Sequence, residues 1–192
     1  MPAWVRLPLL VFAAFPAPWA IVRADARRWC EIQGRPFSGA GSVLDQLRRR
    51  EFRSLFYHRM AHGGLPPRIA ARLASCFYRP EGTLYLHTDE IGEGLYILHG
   101  FATIVVARRI GRNCWINQQV TIGYRDNTEG PILEDGVRVY AGAKVLGPIT
   151  IGHDTRIGAN AVVLKDAPAE CTLVGVPARI VRRGAERVDE PL

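Results

Sequence analysis

The sequence predicts a mainly β protein, a parallel β-helix built from hexapeptide repeats, with a small α-helical region at its N-terminus. Three observations carry this reading. Aliphatic residues recur at every sixth position through the second half of the chain, glycines follow many of them, and the first half places its apolar residues at helical spacing instead. The resulting boundaries are 1–83 for the helical region with its apolar N-terminus, 84–166 for the repeats and 167–192 for a C-terminal extension.

From the N-terminus, LPLLVFAAFPAPWAIV (7–22) carries no charge, with Arg6 before it and Arg23 after it. A membrane span needs about 20 apolar residues, and Pro8, Pro16 and Pro18 interrupt a helix. FPAPWA lacks a clean small-x-small cleavage pattern. Three readings stand: a packed or interfacial helix pair, membrane-surface association through residues 1–23, and a signal peptide. SVLDQLRRREFRSLFYHRM (42–60) sets Val43, Leu44, Leu47, Phe52, Leu55, Phe56 and Met60 near helical spacing, with Ser42 as its N-cap. Gly63, Gly64, Pro66 and Pro67 end it, and RIAARLASCFY (68–78) forms another short helix. His58 and His62 stand one turn apart, but no third metal ligand accompanies them.

From residue 91 the period changes. Aliphatic residues fall at Ile91 and Ile97, then after a seven-residue step at Ile104, Ile110, Ile116 and Ile122; they resume at Leu133, Val139, Val145, Ile151, Ile157 and Val163. A helix fails for such a run, because a residue every sixth position wanders around the helical wheel. Fixed short-period similarity is the mark of a solenoid, here with three hexads to a triangular coil and the aliphatic residue pointing inward. Gly92, Gly111, Gly123, Gly152 and Gly158 follow where the chain turns a corner.

Composition narrows the function. Cys30, Cys76, Cys114 and Cys171 form no C-x-x-C pair, which argues against a zinc site or a disulfide framework and fits a reducing compartment. The net charge of +7 sits in the front: residues 1–83 hold 13 Arg against 5 acids. No nucleic-acid motif accompanies that charge, so no nucleic-acid partner is expected.

The segments EIGEGLYILHGFATIVVARRIGRNCWINQQVTIG and GVRVYAGAKVLGPITIGHDTRIGANAVVLKD, closing on VGVPARIV, resemble the serine acetyltransferase family of hexapeptide acyltransferases over roughly residues 84–182. AGAKVLG and GVPARIV are the specific motifs. The resemblance implies a left-handed β-helix, a homotrimer with active sites between neighbouring subunits, acetyl-CoA as donor and a small-molecule alcohol as acceptor; no metal is expected, and the expected location is cytoplasmic, with the apolar N-terminus allowing a peripheral place at the inner membrane face.

Every third hexad gives Ile97, Ile116, Val139 and Ile157; two residues beyond each stand His99, Gln118, Ala141 and Ala159, a column on one side of the prism. The family lays its coenzyme against alanines matching Ala141 and Ala159, and its catalytic histidine matches His99. Imidazole can take and return a proton near neutral pH, which suits activation of an alcohol toward a thioester. Gln118 and Gly123 join the two alanines as candidate coenzyme contacts. Asn117, Gln119, Arg125, Asp126 and Asp89 are candidate acceptor contacts, and His87 is a candidate for a substrate or structural role. His153 reads as solvent-exposed.

Departures from the family concern the acceptor. Its second histidine, preceded by arginine, sits in a loop just before a proline; here Glu129 and Gly130 precede Pro131, in a loop YRDNTEGPIL with about five extra residues. Leu98 replaces the aspartate beside the catalytic histidine and Leu84 the aspartate that orients it, leaving Asp89 as the nearest replacement acid. The donor side therefore looks intact and the acceptor side altered. Serine O-acetylation is the leading expectation, acetylation of a sugar hydroxyl in surface polysaccharide synthesis the alternative, and an inactive scaffold a third reading against which His99 speaks. A zinc-dependent carbonic anhydrase needs histidines that the chain lacks. The ending VDEPL differs from the isoleucine tail with which family members dock onto the sulfhydrylase that makes cysteine, so that complex is not expected.

Overall fold

A computed structural model describes residues 12–126 and 129–192. It divides into two compact units, residues 1–82 and 83–192. The apolar stretch up to residue 11 lies outside the described residues.

In the first unit, α1 (Pro16–Ile32) begins where the prolines were expected to interrupt a helix. Pro16 and Pro18 sit in its first turn, where an amide N–H has no intrahelical acceptor and proline costs nothing. Phe12, Pro18 and Val22 are buried, so one side of the described part of the apolar stretch packs inward, while Ile21 is among its exposed residues. The single helix expected over 42–60 is two, α2 (Ala40–Gln46) and α3 (Arg50–Ala61). The break is held by Arg53, whose buried guanidinium donates to the Leu47 carbonyl at 2.8 Å and the Arg48 carbonyl at 3.4 Å, groups that a broken helix leaves unsatisfied. Ser42 lies within α2 rather than ahead of it, and its Oγ accepts from the Ser38 amide at 2.8 Å. The last helix, α4 (Leu65–Phe77), starts before residue 68, with Pro66 and Pro67 in its opening turn.

The core of this unit is aromatic. Trp29 meets Phe52 edge-on with centroids 5.1 Å apart, and Phe12 meets Phe56 at 5.0 Å. Asp25 and Arg59 form a buried two-point ion pair at 3.0 and 3.2 Å. His62 Nδ1 lies 2.8 Å from the His58 carbonyl, and no group of three metal-ligating side chains occurs among the described residues. Nor is any helix among them long and apolar enough to cross a membrane.

The second unit is a left-handed parallel β-helix with three sheets. The first stacks β1 (Leu84–Leu86), β4 (Thr103–Val105), β7 (Thr121–Gly123), β10 (Lys144–Leu146) and β13 (Val162–Val163). The second stacks β2 (Glu90–Ile91), β5 (Arg109–Ile110), β8 (Ile132–Leu133) and β11 (Thr150–Ile151). The third stacks β3 (Tyr96–Ile97), β6 (Trp115–Ile116), β9 (Arg138–Val139), β12 (Arg156–Ile157) and β14 (Cys171–Val174). β15 (Arg179–Arg183) and β16 (Glu186–Pro191) then extend the third sheet antiparallel. Each coil visits the sheets in turn, so one inward aliphatic per face fills the prism.

One step of the repeat differs from the sequence reading. Val105 is fully buried, whereas Ile104 is 46% exposed. Val105 pairs with Leu86 below and Ile122 above, so the inward step runs from Ile97 to Val105 and then to Ile110. The corner after Ile97 is longer than the regular ones, the next is correspondingly shorter, and the corner from Ile122 to Leu133 is longer still. The corners from the third sheet to the first share one device, that after Ile97 included: a residue three positions after the inward aliphatic adopts positive φ, at Gly100, Gln119, Gly142 and Asn160. Glycine or a side-chain amide suits that left-handed conformation.

Candidate active site

The site is built from this edge. β3, β6, β9 and β12 are in register, with Ile97 on Ile116, Ile116 on Val139 and Val139 on Ile157. His99, Gln118, Ala141 and Ala159 therefore rise one above another along one corner of the prism. Backbone bonds tie these coils together: the Leu98 amide donates to the Ile116 carbonyl at 2.9 Å, the Gln119 amide to the Phe101 carbonyl at 3.0 Å, the Gly142 amide to the Gln118 carbonyl at 3.1 Å, and the Asn160 amide to the Ala141 carbonyl at 2.9 Å, so in the lowest coil Phe101 rather than His99 takes the ladder position that Gln118 and Ala141 hold above. Gly175 follows two residues after Leu173, the partner of Ile157, and carries the column into a cleft of about 570 Å³ lined by Val162, Leu164, Lys165, Val176 and Pro177.

His99 is exposed and has φ 67, with its carbonyl accepting from the Phe101 amide at 2.7 Å. Among the described residues no carboxylate bonds its ring. One coil above, Gln118 Oε1 is buried without a hydrogen-bond partner among the described residues. A buried amide oxygen left unpaired costs free energy, and a ligand N–H lying along the column would satisfy it. Asn117 accepts from Trp115 Nε1, and Trp115 is flanked by Tyr96 at 4.5 Å and by the Arg138 guanidinium at 5.9 Å. Lys144 was not among the expected site residues. Its Nζ donates to the Gln119 carbonyl at 2.7 Å, which brings a cation to the column's edge. The signal lay in AGAKVLG, where Lys144 stands one residue before the inward Val145 and so faces outward.

The remaining expected residues lie elsewhere on the prism. Gly123 ends β7 and Arg125 and Asp126 follow it, so all three occupy the edge from the first sheet to the second. Arg125 is paired with Asp126 at 2.6 Å, and both line a cleft with Leu146, Gly147 and Pro148. Asp89 precedes β2 on the same edge two coils lower, and the structure does not bring it to the His99 ring. The physical reason is simple: six residues advance the chain by a whole face, so nearness in sequence becomes a different edge. Gly130 runs so close to the Val106 carbonyl that a Cβ there would collide with it. His87 stacks on Tyr85 with centroids 5.6 Å apart, and exposed His153 lies 3.2 Å from Asp154.

Comparisons with known proteins bear on the family and the fold. Residues 130–165 match the family described as bacterial transferase hexapeptide (six repeats). The chain is 41% identical over 145 residues to the serine acetyltransferase of Synechococcus elongatus, covering 72% of this chain and 59% of that protein. It is 34% identical over 146 residues to the serine acetyltransferase of Bacillus licheniformis, covering 72% of this chain and 68% of that protein. Among solved structures, soybean serine acetyltransferase complexed with serine superposes with a TM-score of 0.70 at 29% identity, over 90% of this chain and 73% of that one. A serine acetyltransferase in complex with CoA gives 0.66 at 26% identity, over 88% and 72%. The chain spans about three fifths of the length of the Synechococcus elongatus and Staphylococcus xylosus proteins it matches. With these likenesses added to the hexad register, the chain belongs to the serine acetyltransferase family.

Proposed function

We propose that this protein is an acetyl-CoA-dependent O-acetyltransferase whose acceptor is the hydroxyl of serine. The observation that carries the reading is the edge column: an exposed imidazole at one end, two methyl groups above it, and an unsatisfied Gln118 oxygen between. The pantetheine arm lies flush against Ala141 and Ala159, one of its amide N–H groups meets Gln118 Oε1, and its thioester arrives at His99. The His99 imidazole takes the hydroxyl proton as the alcohol oxygen attacks the thioester carbonyl carbon. As the tetrahedral intermediate collapses, the C–S bond breaks and the imidazolium returns the proton to the leaving sulfur. The products are an O-acetyl ester and free coenzyme A. Holding both substrates on one edge supplies the proximity that solution lacks.

A homotrimer supports this chemistry. The column is one wall on an outer edge, and Arg125 and Asp126 stand on a different edge of the same chain. A neighbouring copy supplies the second wall and brings its own loop to His99. A cytoplasmic location fits, since acetyl-CoA is made there.

A second reading, a sugar hydroxyl as acceptor, is favoured by one observation. Leu98, Asn117, Gln118 and Gln119 beside His99 are uncharged, and Lys144 on the Gln119 carbonyl offers a partner for only one of two opposite charges. Serine carries two charges, and each charge-assisted hydrogen bond to it is worth about 1.5–3 kcal/mol. A neutral sugar needs neither.

The test follows free thiol release from acetyl-CoA with serine, homoserine and simple glycosides as acceptors. Serine should be turned over, and His99→Ala should lower kcat by about 10² to 10⁴ while the KM for acetyl-CoA stays near wild type. Unchanged turnover in the purified variant removes His99 from the mechanism. Turnover of a glycoside with none of serine selects the second reading.

A further inference from the structure

We infer that α4 is a docking element for an anionic membrane surface. The inference is independent of the acetyltransferase reading, because it rests on the helical unit alone. Leu65, Ile69, Leu73 and Phe77 follow one another at four-residue spacing, and their exposures are 68, 53, 64 and 79%. At about 100° per residue they fall on one arc of about 120°, and the row is about 18 Å long. The face opposite holds Pro67 and Ala71, which are the buried residues of this helix. Thus α4 uses its small residues for packing and turns its large apolar ones to the outside, the reverse of what a helix needs in order to bury itself against its own unit. Single exposed leucines are ordinary; a continuous row of four large apolar side chains is the mark of an interaction surface.

Charge decides which partner. Arg68 and Arg72 border the apolar row on the Leu65 side, both are exposed, and neither is paired with an acid among the described residues. From residue 52 to residue 80 the sequence contains no aspartate or glutamate. A second copy related by a two-fold axis and laid against this face would set arginines against arginines with no acid on the helix to offset them. An apolar face bordered by unpaired arginines instead matches a layer of anionic headgroups over acyl chains. Of the residues first expected to meet a membrane, Phe12, Pro18 and Val22 lie inside the helical unit, while Ile21 is 39% exposed.

The experiment is co-sedimentation of the full chain with vesicles of neutral phosphatidylcholine, or of phosphatidylcholine with phosphatidylglycerol. Binding to the mixed vesicles should exceed binding to the neutral ones by at least tenfold and should fall as salt rises. Ile69→Glu with Leu73→Glu should abolish binding; both side chains are exposed, and circular dichroism checks that the helices remain. Arg68→Gln and Arg72→Gln keep the apolar row and should each weaken binding about fivefold. Acetyl transfer in solution should be the same in all these variants. Equal binding to both vesicles, or none, overturns the inference. Absence of vesicle binding together with a fall in oligomer mass for Ile69→Glu with Leu73→Glu overturns it in favour of a self-contact.

Discussion

Val105→Ala and Ile104→Ala form a pair that tests the register of the solenoid. Val105 is fully buried between Leu86 and Ile122, and Ile104 beside it is 46% exposed. Truncating Val105 removes two buried methyl groups, at about 0.8 kcal/mol each. The coil is one residue thick, its neighbours are held by ladder bonds, and the void cannot close well. The cavity raises the loss to about 2–3 kcal/mol. Ile104→Ala removes atoms that already touch water, and its cost should stay within about 0.5 kcal/mol. Thermal unfolding of the β-helix should show Val105→Ala lowered by about 8–12 °C and Ile104→Ala nearly unmoved. The scans should be repeated over a hundredfold range of protein concentration. Ile104 faces outward on the first sheet near exposed Tyr85 and Phe101, so a loss there that grows on dilution marks a contact between copies. A concentration-independent loss at Ile104 as large as that at Val105 would refute the assigned register.

Three further outcomes follow from the same structure. Ala159→Trp should raise the KM for acetyl-CoA at least tenfold while sparing the stability set by buried Ile157, and an unchanged KM would put the donor on another edge. Asp25→Ala leaves the buried Arg59 guanidinium without its partner and should cost about 3–5 kcal/mol in denaturant unfolding of the helical unit, whereas replacing both residues with apolar ones of similar size should recover most of it. Cys76 is exposed and Cys30, Cys114 and Cys171 are buried, with burial pushing the Cys114 thiol up to about 12; a thiol reagent should therefore modify one cysteine quickly, and Cys76→Ser should abolish that phase.

Much of the fold follows from composition and period alone. Ile110, Ile116 and Ile122 recur because each face of a narrow triangular coil has room for one inward aliphatic side chain, and that demand leaves its period on the chain whatever the loops do. The edge column follows by the same arithmetic, since three faces return the chain to its starting sheet and lift His99, Gln118, Ala141 and Ala159 into line. Where two adjacent aliphatic residues compete, as Ile104 and Val105 do, sequence alone is ambiguous. Only the ladder with Leu86 and Ile122 decides which of them turns inward. The helical unit shows the same limit: apolar spacing over 42–60 is continuous, but a buried Arg53 that collects the Leu47 and Arg48 carbonyls makes the break worth having. The edge on which Asp89, Gly123, Arg125 and Asp126 stand, the orphaned oxygen of Gln118 and the outward turn of the α4 apolar row were likewise settled by tertiary structure, because each depends on what the rest of the chain leaves uncovered.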